Sequence, residues 1–326
     1  MQTLLSGIKP TGIPTLGTLL GAIIPFVSYQ DRPDCQQYAF IADLHALTLY
    51  QDPEELKTNT SLLIKILIAS GLTKAYLFRQ SAISAHNSLE WILTCNTNIA
   101  ELSKMPQYKK YCESHKNEAI PAGMFLYPSL MNSDILLYDA DYIPIGQDQK
   151  PHIDLCIDIA KRFNSRYGQV FTVPTPLIPK VGAKIMSLSD PTKKMSKSES
   201  DKGTVYITDS KDVIYSKFKK AVTDGEGQIY YNPETKPGIS NLLTIYAAIN
   251  NISIEEAEKA FKNVPNYGIL KEAVATSVWI ALEKLQYEIS QLDDAQIAYI
   301  LKKGEIYAST KAHCKLAEVY EKVGLR

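Results

Sequence analysis

The sequence predicts an α/β protein, with a doubly wound parallel sheet in its first part and an all-helical region after it. Three observations carry this prediction. Short apolar runs alternate with amphipathic segments through the first half, as expected of a parallel sheet covered on both faces by its crossover helices. The alternation stops near residue 205, and helical spacing takes over. At 326 residues, with 45% apolar and 21% charged side chains, the chain can hold about two domains and has the make-up of a folded protein.

The elements follow in order. "QTLLSGI" and "QYAFIAD" read as buried strands. "PEELKTNTSLLIKILIAS" reads as a helix, with Asp52 as N-cap, Pro53 at the first position, Glu54 and Glu55 in the first turn and Gly71 as the stop. "AYLFRQ" is a further strand and "SLEWILTC" a further helix. After the strand "YIPIG", the segment "QKPHIDLCIDIAKRF" repeats Ile153, Ile157 and Ala160 at helical spacing. In the C-terminal region "SIEEAEKAF" opens with Ser253 and Glu256 as a capping box. "LDDAQIAYILKKG" has acids first and lysines last, which predicts a helix closed by Gly304.

Composition excludes several classes. The 35 basic and 35 acidic residues cancel, so net charge announces no nucleic-acid partner. Five cysteines (Cys35, Cys95, Cys112, Cys156, Cys314) are odd in number and never form a C-x-x-C pair, which argues for reduced thiols rather than disulfides or a zinc ribbon. "MQTLLSGIKPTG" lacks the basic start of a secretory signal, and "LLGAIIPFV" is too short to span a bilayer. The expectation is a soluble cytoplasmic protein without a membrane partner.

Three places carry chemistry. "SGIKPTGIPTLGTLLGA" (Ser6 to Ala22) makes a glycine- and proline-rich crossing from strand to helix. If Thr15 caps that helix, the amides near Gly17 and Thr18 face the carboxyl edge of the sheet, where anions bind; a plain loop before a helix has the same composition, and the spacing fits neither the P-loop nor the dinucleotide fingerprint. In "VGAKIMSLSDPTKKMSKS" (Val181 to Ser198), Lys193, Lys194 and Lys197 follow an apolar segment. Such a loop is either solvated or closes over a phosphate chain. In "FLYPSLMNSDILLYDADYIPIGQDQKPH" (Phe125 to His152), Pro128 suits a helix start, and Tyr127, Met131 and Asp134 fall at i, i+4 and i+7 on one face. An Asp on an aromatic, apolar face can read one N–H or O–H donor of an otherwise apolar ligand. Gly146 and Asp148 end a strand, where Asp can accept from ribose hydroxyls.

Together these segments resemble the class I aminoacyl-tRNA synthetases, most closely the bacterial tryptophanyl branch. "PTLGT" stands where that family has its HIGH-type signature, and "KMSKS" (Lys194 to Ser198) is its second signature; "SGIKPTG", "MNSDILLYDAD", "IPIGQDQKPH", "IAKRFN" and "KPGISNLL" also look like it. The resemblance implies a Rossmann-like catalytic domain over 1–190 with an inserted helical connective and dimer region at about 80–140, the KMSKS loop and linker over 191–205, and a helical anticodon-binding domain over 206–326. It implies activation of L-tryptophan with ATP and Mg2+, transfer to the cognate tRNA, a homodimer, no resident metal and no DNA partner.

By the same resemblance Lys9, Pro10, Thr11, Gly17 and Thr18 line the ATP site, and Gly146, Gln147 and Asp148 hold the ribose. Ile185 and Met195 bracket adenine through backbone groups. Lys194, Ser196, Lys197 and Ser198 follow the phosphates, with Lys9, Thr18, Lys194 and Lys197 as the catalytic set. Asp134 accepts the indole N–H, while Gly7, His45, Tyr127, Met131, Ile143 and Ile145 wall the amino-acid pocket. Three positions depart from the usual pattern: Thr18 replaces an Asn, Lys9 a Gln, and Leu5 an aromatic residue. The sister tyrosyl branch typically has Gln at the place of Met131 and Tyr at that of Leu5, so both apolar residues favour indole.

Overall fold

The computed structural model describes residues 1–116, 118–146, 149–177, 184–196 and 201–326. Strand β1 (Gln2–Ile8) leads through the glycine-rich crossing to α1 (Leu16–Thr18), a π-type turn (Leu19–Ile23) and α2 (Ile24–Ser28). Then come β2 (Cys35–Ile41), α3 (Asp43–Ala46), α4 (Pro53–Ala69) and β3 (Tyr76–Arg79). Four helices follow: α5 (Ala85–Cys95), α6 (Ile99–Leu102), α7 (Pro106–Ser114) and α8 (Ala122–Leu136). The sheet is completed by β4 (Tyr142–Pro144), α9 (Lys150–Tyr167) and β5 (Thr175–Leu177). Beyond it lie α10 (Lys211–Lys219), α11 (Pro237–Asn250), α12 (Ile254–Phe261), α13 (Tyr267–Gln291) and α14 (Asp294–Val323).

Among the described residues five strands form one sheet in the order β3-β2-β1-β4-β5, and each pairing within it is parallel. The chain winds outward from β1 to β3, then returns to the other side of β1 at β4. That reversal is a topological switch point, and the crevice at the carboxyl ends of β1 and β4 is where ligands sit in such sheets.

Local signals formed the expected elements. Asp52 Oδ1 accepts from the amides of Glu54 (3.0 Å) and Glu55 (3.1 Å) at the start of α4, and Gly71, at φ +95°, takes the left-handed turn after its end. Ser253 and Glu256 cap α12 reciprocally. Thr15 caps α1, accepting from the Thr18 amide at 3.2 Å.

Two expectations fail. Pro128 is not a helix start: α8 begins at Ala122, capped by Pro121, and Pro128 lies inside it, where the helix forgoes one backbone bond and keeps Tyr127, Met131 and Asp134 on one face. Gly304 does not end a helix, because α14 runs through it to Val323. The glycine is there for a close approach. A Cβ at 304 would lie 1.9 Å from the Leu77 carbonyl oxygen, so only glycine lets α14 lie against the edge strand β3. Around that contact Arg79 Nη2 bonds Glu305 at 3.0 Å, and the rings of Tyr76 and Tyr307 stack at 4.5 Å.

Two apolar clusters hold the molecule. One, under α1, α2 and α4, is continuous with the inner faces of α10 to α13. The other joins the opposite face of the sheet to α5, α8, α9 and α14.

Candidate active site

The carboxyl edge of the sheet collects the polar residues. Lys9 and Pro10 follow β1, His45 sits in α3 just after β2, Gln80 follows β3 and Gly146 follows β4. Asp134 comes to the same edge from α8 and is almost wholly buried.

A buried carboxylate needs partners, and Asp134 has three. Gln80 Nε2 donates to Oδ1 at 2.7 Å, His86 Nδ1 to the same oxygen at 2.7 Å and His45 Nε2 to Oδ2 at 2.8 Å. Burial pushes the Asp134 carboxyl up, but the charges and hydrogen bonds of His45 and His86 outweigh it and hold the group below its ordinary value. An ionised carboxylate only accepts, so His86 donates to it from Nδ1, and its Nε2 lies 2.9 Å from the Tyr138 hydroxyl. Two oxygens offer about four acceptor positions. Two are used on Oδ1 and one on Oδ2, leaving a position on Oδ2 for a further donor.

Of the expected pocket walls, His45 bonds this carboxylate directly, and Tyr127 and Met131 share its helix α8. Tyr127 is buried one turn before Met131 on α8, and its hydroxyl makes a short contact with His152 Nε2. Ile143 and Ile145 are buried in the cluster that also holds Leu5 and Phe40. Leu5 is fully enclosed, so the missing aromatic leaves no opening there. Gly7 pairs in register with Phe40, and a Cβ on it would meet the Phe40 ring at 2.4 Å; the glycine admits that ring across β1. Lys9 is exposed, yet enough protein surrounds its ammonium to lower its pKa, and its Nζ lies 5.8 Å over the Tyr127 ring.

The two signature segments meet. Ile185 to Ser187 pairs antiparallel with Lys193 to Met195: the Met195 amide donates to the Ile185 carbonyl at 3.0 Å, and the Ser187 amide to that of Lys193 at 2.9 Å. Met195 is buried, and its Cβ and carbonyl oxygen lie 3.5 Å from where a Cβ on Gly17 would sit. The Met195 amide is thereby used within the hairpin, and its carbonyl faces the first helix. Thr204 Oγ1 holds the Ser196 carbonyl at 3.1 Å. Lys193 pairs with Asp190 at 3.4 Å, whereas the exposed Lys194 ammonium has no partner among the described residues.

The first helix is less open to anions than its composition suggests. The Leu16 amide donates to the Val205 carbonyl at 2.8 Å, that of Thr18 goes to Thr15, and the Thr18 hydroxyl lies 3.2 Å from Thr15 Oγ1. Gln147, Asp148, Lys197 and Ser198 lie outside the described residues. Sequence reasoning missed Gln80, His86, Tyr138 and His152. The one local signal was "RQSAISAH", a run that brings Gln80 and His86 to the end of an apolar strand.

A switch-point crevice with a glycine-rich first crossing, against which a lysine-bearing hairpin packs, is where an open α/β sheet takes its ligand. Residues 1–284 match the family model described as tRNA synthetases class I (W and Y), and the chain belongs to that family. It is 45% identical over 328 residues to a tryptophan–tRNA ligase of Caldanaerobacter subterraneus subsp. tengcongensis, covering 100% of this chain and 99% of the relative. The fold matches the crystal structure of a tryptophanyl-tRNA synthetase from Mycoplasma pneumoniae with a TM-score of 0.92 at 33% identity, covering 100% and 98% of the two chains. It also matches one from Campylobacter jejuni complexed with ADP and tryptophan, with a TM-score of 0.83 at 28% identity over 99% and 100%.

Proposed function

We propose that this chain is a tryptophan–tRNA ligase: it activates L-tryptophan with ATP to the adenylate, releasing pyrophosphate, and passes tryptophan to its tRNA. The observation that carries the choice of amino acid is Asp134, a buried carboxylate held ionised by three donors with one acceptor position left on Oδ2. Indole N–H fills that position from an otherwise apolar ring, and Met131 and Leu5 are apolar where the tyrosyl branch typically carries polar residues. A side chain without the N–H leaves the acceptor unpaired, which is a stronger penalty than a misfit in shape.

In the first step the tryptophan carboxylate attacks the α-phosphorus in line, and the bond to the β-phosphate bridge oxygen breaks. Neither this step nor the transfer to the terminal ribose needs a covalent enzyme intermediate, so positioning and electrostatics supply the rate. Lys9, beside Tyr127, meets charge where carboxylate and α-phosphate join. Lys194, with Ser196, Lys197 and Ser198, follows the leaving pyrophosphate. Pro10, Thr11, Gly17 and Thr18 contact ATP, the backbones of Ile185 and Met195 border adenine, and Gly146, Gln147 and Asp148 take the ribose. Mg2+ arrives on the ATP phosphates; among the described residues no group of three His, Cys, Asp or Glu is placed to hold a metal.

The assignment of 1–190 to catalysis, 191–205 to the phosphate loop and linker, and 206–326 to the anticodon belongs to the same reading. So does a cytoplasmic setting; among the described residues no helix is long and apolar enough to cross a membrane. A homodimer is supported by apolar exposure in and beside the 80–140 insert: Leu47, Tyr50, Trp91 and Ile99 all face solvent, and a groove of about 210 Å³ runs between α3, α5 and α8 beside Leu47. A second copy covers this face.

ATP–pyrophosphate exchange with tryptophan and tyrosine side by side tests the proposal. Exchange with tryptophan alone is the expected result. Exchange with tyrosine alone assigns the sister activity, and exchange with neither removes the enzyme reading.

A further inference from the structure

The lysine-bearing hairpin is held from an unexpected side. Met186 stands opposite Lys194 in a pair whose two hydrogen bonds come from the flanking residues, so Met186's own N–H and C=O point away from Lys194. Both are taken by one side chain. The Met186 amide donates to Asn241 Oδ1 at 2.8 Å, and Asn241 Nδ2 donates to the Met186 carbonyl at 2.9 Å. Asn241 lies on α11, is almost fully buried, and fills the place that a third strand would take beside the hairpin. A two-point bond to a single peptide fixes rotation as well as position, which one bond cannot do. The end of α11 that carries Asn241 is itself anchored: Ser240 Oγ accepts from the Asn232 amide at 2.9 Å, and Val222, against which Gly238 packs, donates to the Leu188 carbonyl at 2.8 Å.

We propose that Asn241 is a positioning residue for tryptophan activation: by gripping the Met186 peptide it ties the helical region to the hairpin and sets where Lys194 stands relative to the ATP phosphates. The proposal rests on the reading of Lys194 as a phosphate-binding group. If Lys194 acts on charge that develops as pyrophosphate leaves, a displaced hairpin costs rate in activation while ground-state ATP and tryptophan binding stay as they are. Transfer from a preformed adenylate to tRNA has no pyrophosphate to stabilise, so it is indifferent to the grip.

The test uses the full chain with Asn241→Leu, which removes both bonds, and Asn241→Asp, which keeps the acceptor for the Met186 amide and sets a carboxylate oxygen against its carbonyl. Should the leucine variant not fold, the aspartate variant, closest to the native shape, carries the test. Expected is a fall of ~10- to 100-fold in kcat for tryptophan-dependent pyrophosphate exchange, the scale on which an ångström of misplacement acts. Single-turnover transfer from isolated enzyme–adenylate should keep the wild-type rate, and Asn241→Leu should cost far less in a Lys194→Ala background than alone. Unchanged exchange in folded variants, an equal loss in both steps, or full additivity with Lys194→Ala overturns the proposal. Lys194→Ala alone separates the two levels: if it leaves exchange unchanged, the phosphate reading of Lys194 fails; if it slows exchange while the Asn241 variants do not, only the role of Asn241 fails.

Discussion

Asp134 at the carboxyl edge of the sheet and Lys236 at the start of α11 are both ionic groups buried to about 1% exposure, and their surroundings differ in how many of their hydrogen-bonding positions are filled. The Lys236 ammonium has three protons, and Asp224 Oδ1 (2.9 Å), the Gln228 carbonyl (3.0 Å) and the Tyr267 hydroxyl (3.0 Å) accept from it. Glu226 adds a second carboxylate at 2.9 Å, and the Tyr230 ring lies 4.7 Å away. Nothing remains for a ligand. Around Asp134 three donors serve a group that can accept about four bonds. The filled charge serves the fold; on the proposed reading Asp134 takes the indole N–H as its further donor.

The largest expected effect breaks the unfilled site. Asp134→Ala should lower kcat/KM for tryptophan by ~1,000-fold or more, as sites built around a specific polar contact lose discrimination on that scale, while ATP binding measured by calorimetry stays close to wild type. Equal loss of both would make Asp134 a packing residue and remove the contrast with Lys236. Lys236→Met tests the filled site. It leaves Asp224 and Glu226 without their counterion and should destabilise the chain by about 3 kcal/mol, at the lower end of the range for breaking a buried pair because both acids reach solvent. Urea unfolding gives that number, and tryptophan binding below the transition should be preserved. A variant as stable as wild type that binds tryptophan poorly would reverse the two assignments.

The contrast explains what was readable in the sequence. Asp52 with Pro53, Ser253 with Glu256, and the Thr15 cap are bonds between near neighbours, so residue types at short spacing specify them. Asp134 was legible as an acid on an apolar face because α8 sets its neighbours at i−7 and i−3. Its actual partners, His45, Gln80 and His86, are 89, 54 and 48 residues away, and no local pattern ties them to it; His45 was named only as a pocket wall. Gly304 was misread for a related reason. Its lack of a side chain serves the carbonyl of Leu77 across the molecule, and the same residue after a helical run also reads as a stop. Asn241 lay in a segment that resembled the family, yet its bond to Met186 spans 55 residues, and nothing in "KPGISNLL" names a partner.

The smallest effect concerns pH, and it separates the two charges by sign. Burial raises the Asp224 carboxyl, but its bonds from Tyr267 and Lys236 outweigh that and bring it down to about 2, against about 3.9 in an unfolded chain. A depressed carboxylate contributes stability that is fully present above the unfolded value and lost as pH falls through the folded one. Asp224 is partly exposed, so screening reduces its share to about 1 kcal/mol. Lys236, raised by the same contacts despite the opposing effect of burial, loses its contribution only in strong alkali and does not act in this window. Asp224→Asn should therefore be less stable than wild type by that amount at pH 6, and the gap should close between about pH 4 and pH 2. Urea unfolding of both proteins at pH 6, 4 and 3 measures it. A gap constant across that range would mean that Asp224 acts by hydrogen-bond geometry alone and that Lys236 is compensated chiefly by Glu226, the Gln228 carbonyl and its flanking rings.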